Sequence, residues 1–134
     1  MQSRKTGIVV CVVAFSILCM VVFAASVAPH ARSISLDTKG QKYIPVLSDP
    51  GDSYLLKSGS ILLKPRESVG KHSTEDHEEL VIVLEGTGEM VLADGSRIPM
   101  HANSAAYCPP KTEHDVRNTG QAPLRYVYVV ARVP

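Results

Sequence analysis

The stretch ELVIVLEGTGEMVLADG, residues 79–95, carries two strand patterns and two turn signals in succession. Leu80–Leu84 is apolar at every position, so this strand is expected to be covered on both faces, by a second sheet or by another subunit. Glu85-Gly86 closes it. Gly88, Met90 and Leu92 then alternate with Thr87, Glu89 and Val91, and a period of two marks a strand with two different faces. Asp94-Gly95 follows, a strong signal for a tight hairpin because both residues tolerate positive φ.

The same grammar runs outward in both directions. Further strands are predicted at Ser53–Lys57, Ser60–Lys64, Arg97–His101, Ser104–Cys108, His114–Arg117 and Leu124–Arg132. Ser58-Gly59 and Asn118-Thr119-Gly120 read as turns between them. In the last strand Leu124, Tyr126, Tyr128 and Val130 alternate with Arg125, Val127, Val129 and Ala131. No stretch of this part has helical periodicity. Many short strands at such spacing predict an all-β sandwich or barrel. Residues 29–52, broken by Gly40, Pro45 and Pro50, read as a linker or an edge segment.

The first residues obey different rules. Arg4 and Lys5 precede Ile8–Ala25, which is apolar except for Ser16 and a few small residues, and Ala24, Ala25, Ser26 and Ala28 are small. Residues 1–28 are therefore expected to form a hydrophobic helix. It would act either as a signal peptide, cut best after Ser26, or as a retained membrane anchor formed by residues 8–25. Positive charge stays inside, so the barrel is expected outside the cytoplasm in both cases, secreted or periplasmic or anchored. The formal net charge of +1 and the absence of a basic face exclude nucleic acid as a partner. Of the three cysteines only Cys108 lies beyond the apolar segment. It is expected to be a small buried residue, since one chain cannot pair it within the domain.

Chemistry concentrates in a few residues. His77 and Glu79 are two apart, as are His72 and Thr74, so in an extended chain each pair points to one face. His114 follows Pro109-Pro110 at the start of a new strand, from which a barrel can bring it opposite Glu79. Gly70-Lys-His72-x-Thr74-x4-Glu79-x6-Gly86 resembles the first motif of the cupin superfamily. Pro109-Pro110-Lys111-x2-His114-x3-Asn118 resembles the second.

The resemblance implies a jelly-roll, double-stranded β-helix barrel over residues 53–134. It also implies that the family's metal ligands carry over to His72, Glu79 and His114. Two histidines and one carboxylate suit a divalent metal ion such as iron, manganese, zinc or nickel. Thr74 stands where the family has another histidine, and Asn103 and Lys111 stand where its second motif has glycine. His77 is the candidate for the missing ligand, or for a donor behind the metal ligands. Thr74 is expected to orient a bound water or to satisfy a backbone group. Asp76, Glu78 and Glu113 are expected as turn acids, Tyr107, Tyr126 and Tyr128 as core or pocket wall, and Asn118 as a turn residue. The implied function is metal-dependent action on a small anionic or hydroxylated molecule, by an oxygenase, isomerase or lyase. The alternatives are a binding module without turnover and a metal-free barrel with an interaction role. A homodimer formed through an exposed edge is a further expectation.

Overall fold

The computed structural model describes residues 28–134. The signal, anchor and hydrophobic-helix expectations for residues 1–27 therefore lie outside the described residues. The described chain is all-β, with nine strands and no helix. These are β1 (Tyr43–Leu47), β2 (Leu56–Leu63), β3 (His72–Ser73), β4 (His77–Glu85), β5 (Thr87–Leu92), β6 (Arg97–His101), β7 (Ala105–Cys108), β8 (Glu113–Asn118) and β9 (Leu124–Arg132). They form a five-stranded sheet in the order β1-β2-β9-β4-β7 and a four-stranded sheet in the order β3-β8-β5-β6. Every paired neighbour runs antiparallel.

Alternation decides which side chains meet between the sheets. Leu63, Val81, Val83, Met90, Met100, Val116 and Leu124 are fully buried there. A fully buried side chain of this kind contributes roughly 1.5–3 kcal/mol relative to exposure. Cys108 joins them, with its Sγ 3.5 Å from Met90 Sδ. Burial, with Glu79 nearby, pushes its thiol up to about 11, so it is a packing group and not a nucleophile. The Asp94-Gly95 hairpin forms as expected. Gly95 takes φ +84° and Asp94 Oδ1 accepts from the Ser96 amide at 2.9 Å.

Three expectations need correction. The segments Ser53–Lys57 and Ser60–Lys64 are not two strands around a turn, because β2 runs unbroken through Ser58-Gly59. Gly59 faces inward, where a Cβ would lie 2.5 Å from Tyr43 Cε2 and 2.8 Å from Tyr128 Cε1. The missing side chain makes room for two tyrosine rings and does not mark a bend. Ser58 and Ser60 face outward yet are buried, donating to Tyr128 O at 2.6 Å and Leu36 O at 3.2 Å. The chain ahead of β1 crosses this face. Residues 29–52, read as linker or edge, contain β1 at one edge of the larger sheet.

The second correction concerns Leu80–Leu84. Val81 and Val83 are buried, but Leu80 and Ile82 on the opposite face are 40% and 38% exposed. Among the described residues no second sheet covers that face. The third concerns Tyr107, which is not in the core but stands outside, its hydroxyl donating to Glu78 Oε2 at 3.1 Å.

Gly86 tests how the barrel closes. It takes φ +84°, and a Cβ there would lie 2.3 Å from Pro123 O and 2.8 Å from Leu124 Cα. Backbone cannot swing away as a tyrosine ring can. Gly86→Ala is therefore expected to cost about 3 kcal/mol or more in urea unfolding, against about 1–2 kcal/mol for Gly59→Ala. Equal losses would contradict this account of the two glycines.

Candidate metal centre

Two sheets supply the centre. On the four-stranded sheet, β3 and β8 place His72 directly opposite His114. Their ring centroids are 4.3 Å apart with planes at 57°. On the five-stranded sheet, Glu79 points inward from β4, flanked by Cys108 on β7 and Val130 on β9. It reaches across so that Glu79 Oε2 lies 3.1 Å from His114 Nε2. One ligand atom from each of His72, Glu79 and His114 lies within 4.8 Å of the others. Glu79 and His114 are buried, while His72 is exposed at the mouth.

Backbone carbonyls fix both imidazoles. His72 Nδ1 is 3.0 Å from Gly70 O and His114 Nδ1 is 3.3 Å from Thr112 O. A carbonyl only accepts, so each Nδ1 carries the proton and each Nε2 offers a lone pair. That leaves His114 Nε2 fully buried with no hydrogen-bond partner, although Glu79 Oε2 is close. Both atoms are acceptors. Two buried acceptors facing each other need a cation or a second proton between them. As for the proton, burial lowers the pKa of His114, but the Glu79 carboxylate outweighs it, helped by the Thr112 carbonyl and Asp115. The net shift is upward from the ordinary histidine value. As for the cation, imidazole nitrogen and carboxylate oxygen in this spacing are the donor set of a divalent transition metal. The residues present fit such an ion.

Thr74 also borders the cavity, but its hydroxyl is engaged by the backbone. The hydroxyl donates to Pro109 O at 2.8 Å and accepts from the Thr112 amide at 2.9 Å, which commits its proton and fixes its orientation. It satisfies backbone groups and staples the turn that delivers His114. His77 is on the same face as Glu79 and borders the cavity, but its Nδ1 lies 2.8 Å from Asp76 Oδ1. Asp76 Oδ2 in turn accepts from Arg132 Nε at 2.8 Å. His77 is therefore held by an ion-paired acid at the mouth and is not among the three clustered ligands. Asn118 serves its turn as expected. Its Oδ1 accepts from the Gly120 amide at 2.8 Å, and its Nδ2 donates to Leu63 O and Ala122 O, each at 2.9 Å.

Asn103 and Lys111 take φ +63° and +59°. These departures from glycine keep the left-handed backbone that glycine would supply, so the turns survive the substitutions at some conformational cost.

One contributor escaped the sequence reading. Asp115 is 3% exposed; its Oδ1 accepts from the Gly70 amide at 3.0 Å and its Oδ2 from Arg117 Nε at 2.7 Å. It thereby holds the turn whose carbonyl orients His72. Only its position next to His114 hinted at this, since the Gly70 turn is distant along the chain.

The centre opens into a cavity of about 570 Å³. Tyr43, Tyr126 and Tyr128 line it with Ile61, Val69 and Val116, and Lys57 and Asp76 are exposed lining residues. Burial keeps the phenols of Tyr126 and Tyr128 protonated, far above the usual tyrosine range.

Comparison with known proteins follows this geometry. Residues 59–130, more than half of the chain, match the family described as "Cupin domain". Auxin-binding protein 1 of Arabidopsis thaliana is 30% identical over 107 residues, covering 63% of this chain and 52% of that protein. An uncharacterized protein of Methanocaldococcus jannaschii is 40% identical over 55 residues, covering 41% of this chain and 42% of that protein. The chain thus spans about half the length of the curated relatives it matches. Among solved structures, a Cupin 2 conserved barrel domain protein from Salinispora arenicola superposes with a TM-score of 0.66 at 22% identity. That match covers 78% of this chain and 92% of the other. A predicted oxalate decarboxylase from Thermotoga maritima gives a TM-score of 0.62 at 24% identity, covering 68% and 79%. At these identities the two structures bear on the fold alone.

Two substitutions check the local account. Thr74→Val strands the Thr112 amide and the Pro109 carbonyl, so urea unfolding should show a loss of about 2–3 kcal/mol. Lys111→Gly relieves a left-handed residue and should gain about 0.5–1 kcal/mol, after the greater freedom of unfolded glycine is set against it. A loss at Lys111→Gly would show that its side chain matters more than its backbone.

Proposed function

Because this chain belongs to the cupin family, we propose that its barrel holds a divalent metal ion through His72, Glu79 and His114 and takes a small anionic or hydroxylated molecule into the adjoining cavity. The observation that carries the reading is the buried lone pair of His114 Nε2, facing the Glu79 carboxylate with no donor between them. Neutral His72 and His114 with ionised Glu79 offer a doubly charged ion one compensating charge. When bound at three protein ligands, such an ion supplies Lewis acidity and open positions for a chelating ligand.

The chain's own residues account for the rest. Gly70 O and Thr112 O hold the two imidazoles with Nε2 inward. Lys57, on the cavity wall, offers a positive charge to an anionic ligand. Ile61, Val69 and Val116 exclude water from the inner wall, and the tyrosines present flat faces to an organic ligand. The name of auxin-binding protein 1 supports a barrel of this family that binds a small organic molecule.

Purification without chelator followed by elemental analysis tests the first half. Near-stoichiometric metal is expected in the wild type. His72→Ala, His114→Ala and Glu79→Gln should each weaken binding by more than the ~10–100-fold typical of losing a group behind a ligand. A wild type that stays metal-free after incubation with iron, manganese, zinc and nickel would sink the reading. For the second half, calorimetry of the metal-loaded protein with small carboxylates should show weaker binding to Lys57→Met than to wild type.

A further inference from the structure

The end of the turn between β1 and β2 and the first residue of β2 carry Tyr54, Leu55 and Leu56, which are 83%, 68% and 44% exposed. Three successive large apolar side chains in water are unusual for a short turn. The turn is nevertheless tightly built. Asp52 Oδ2 accepts from the amides of Ser48 and Asp49 at 2.9 Å each, and Ser53 Oγ accepts from the Leu56 amide at 2.9 Å. Arg32 ties it to the incoming chain, with Nη2 donating to Asp52 Oδ1 at 2.6 Å. The fold therefore presents these side chains in a fixed place.

That place is where the chain enters the barrel. Pro29, His30, Arg32 and Ile34 line one hollow together with Ser53 and Tyr54. Ile8–Ala25, the apolar segment of the sequence, ends four residues before Pro29. Four extended residues reach at most about 14 Å. With Ile8–Ala25 in a bilayer, Pro29 lies within about 14 Å of the end of that segment and brings the Tyr54 turn near the bilayer surface. The same end of the barrel carries the cavity mouth. Lys57, Asp76 and His77 border both the metal cavity and the groove formed by Tyr54, Leu55 and Leu56.

We propose that Tyr54, Leu55 and Leu56 are a lipid-contacting surface, seated at the boundary of headgroups and acyl chains, which holds the cavity mouth against the membrane that residues 8–25 span. Two leucines supply apolar area, and a tyrosine suits headgroup depth. The inference is independent of the metal reading. It rests on the apolar turn, the entry point of the chain and the apolar segment ahead of it.

The sequence contains no tryptophan, so a single introduced indole reports alone. The full chain carrying Leu55→Trp, and separately Tyr54→Trp, is reconstituted in vesicles of phosphatidylcholine and phosphatidylglycerol. In one set the phosphatidylcholine has brominated acyl chains. Gln121→Trp is the comparison, in the turn ahead of β9, at the end of that strand away from the mouth and roughly 25–30 Å from it. Brominated lipid should quench the indoles at 54 and 55 about twofold or more and leave that at 121 near its unbrominated intensity. Unquenched indoles at 54 and 55 in vesicle-bound chain overturn the proposal. Equal quenching at all three positions overturns it too, since the barrel then has no preferred face. An intact mass showing that the mature chain lacks residues 8–25 does so as well, because nothing then brings the turn to the bilayer.

Discussion

Glu79 and His114 confront each other across the interior of the barrel, one from each sheet, as two buried acceptors 3.1 Å apart. Glu79 is locked on β4 between β7 and β9, and His114 is held by its own strand and by Thr112 O. An uncompensated arrangement of this kind costs several kcal/mol in a low-dielectric interior. A protein tolerates it where something else completes the electrostatics. The raised pKa of His114 and the metal-type donor set are two expressions of that one constraint.

Much of the surrounding structure serves to keep this confrontation in place. Thr74 spends both hydrogen-bonding directions of its hydroxyl on the turn between β7 and β8. Lys111, within that turn, accepts the strain of a left-handed backbone, and its amide donates to Glu75 O at 2.8 Å. Asp115 does the corresponding work for His72 through Gly70. The two imidazoles are thus oriented mostly through backbone carbonyls and amides. Thr74, at the position where the motif has a histidine, fastens the chain between these segments.

Two apolar regions of different character stand out on the exterior of the described residues. Leu80, Ile82 and Tyr107 lie on the outer face of the larger sheet, while Tyr54, Leu55 and Leu56 project from a turn at the cavity mouth. On the remainder of the outer face, the chain ahead of β1 covers Ser58 and Ser60 and takes a hydrogen bond from Ser60. The charged residues at the mouth are mutually paired, as in the run from His77 through Asp76 to Arg132. Lys57 is set apart from that run as a cation on the cavity wall.

The sequence by itself determined the all-β class, the Asp94-Gly95 hairpin and, through its motif resemblance, the three clustered residues His72, Glu79 and His114. Each of these is written locally, in a period of two, in turn chemistry or in a short motif. Tertiary structure alone decided the rest. Gly59 signals a turn or a close approach equally well, and only the arrival of Tyr43 and Tyr128 from neighbouring strands makes it the latter. An unbroken apolar run does not show which of its faces will be covered, so the exposure of Leu80 and Ile82 depended on where the second sheet packs. The orientation of His77 toward Asp76 required Arg132 to arrive on β9, and the role of Asp115 required the Gly70 turn to fold against β8. Side-chain type and spacing record what one strand presents. Hydrogen bonds between segments tens of residues apart are set by pairing and register, which no local pattern specifies.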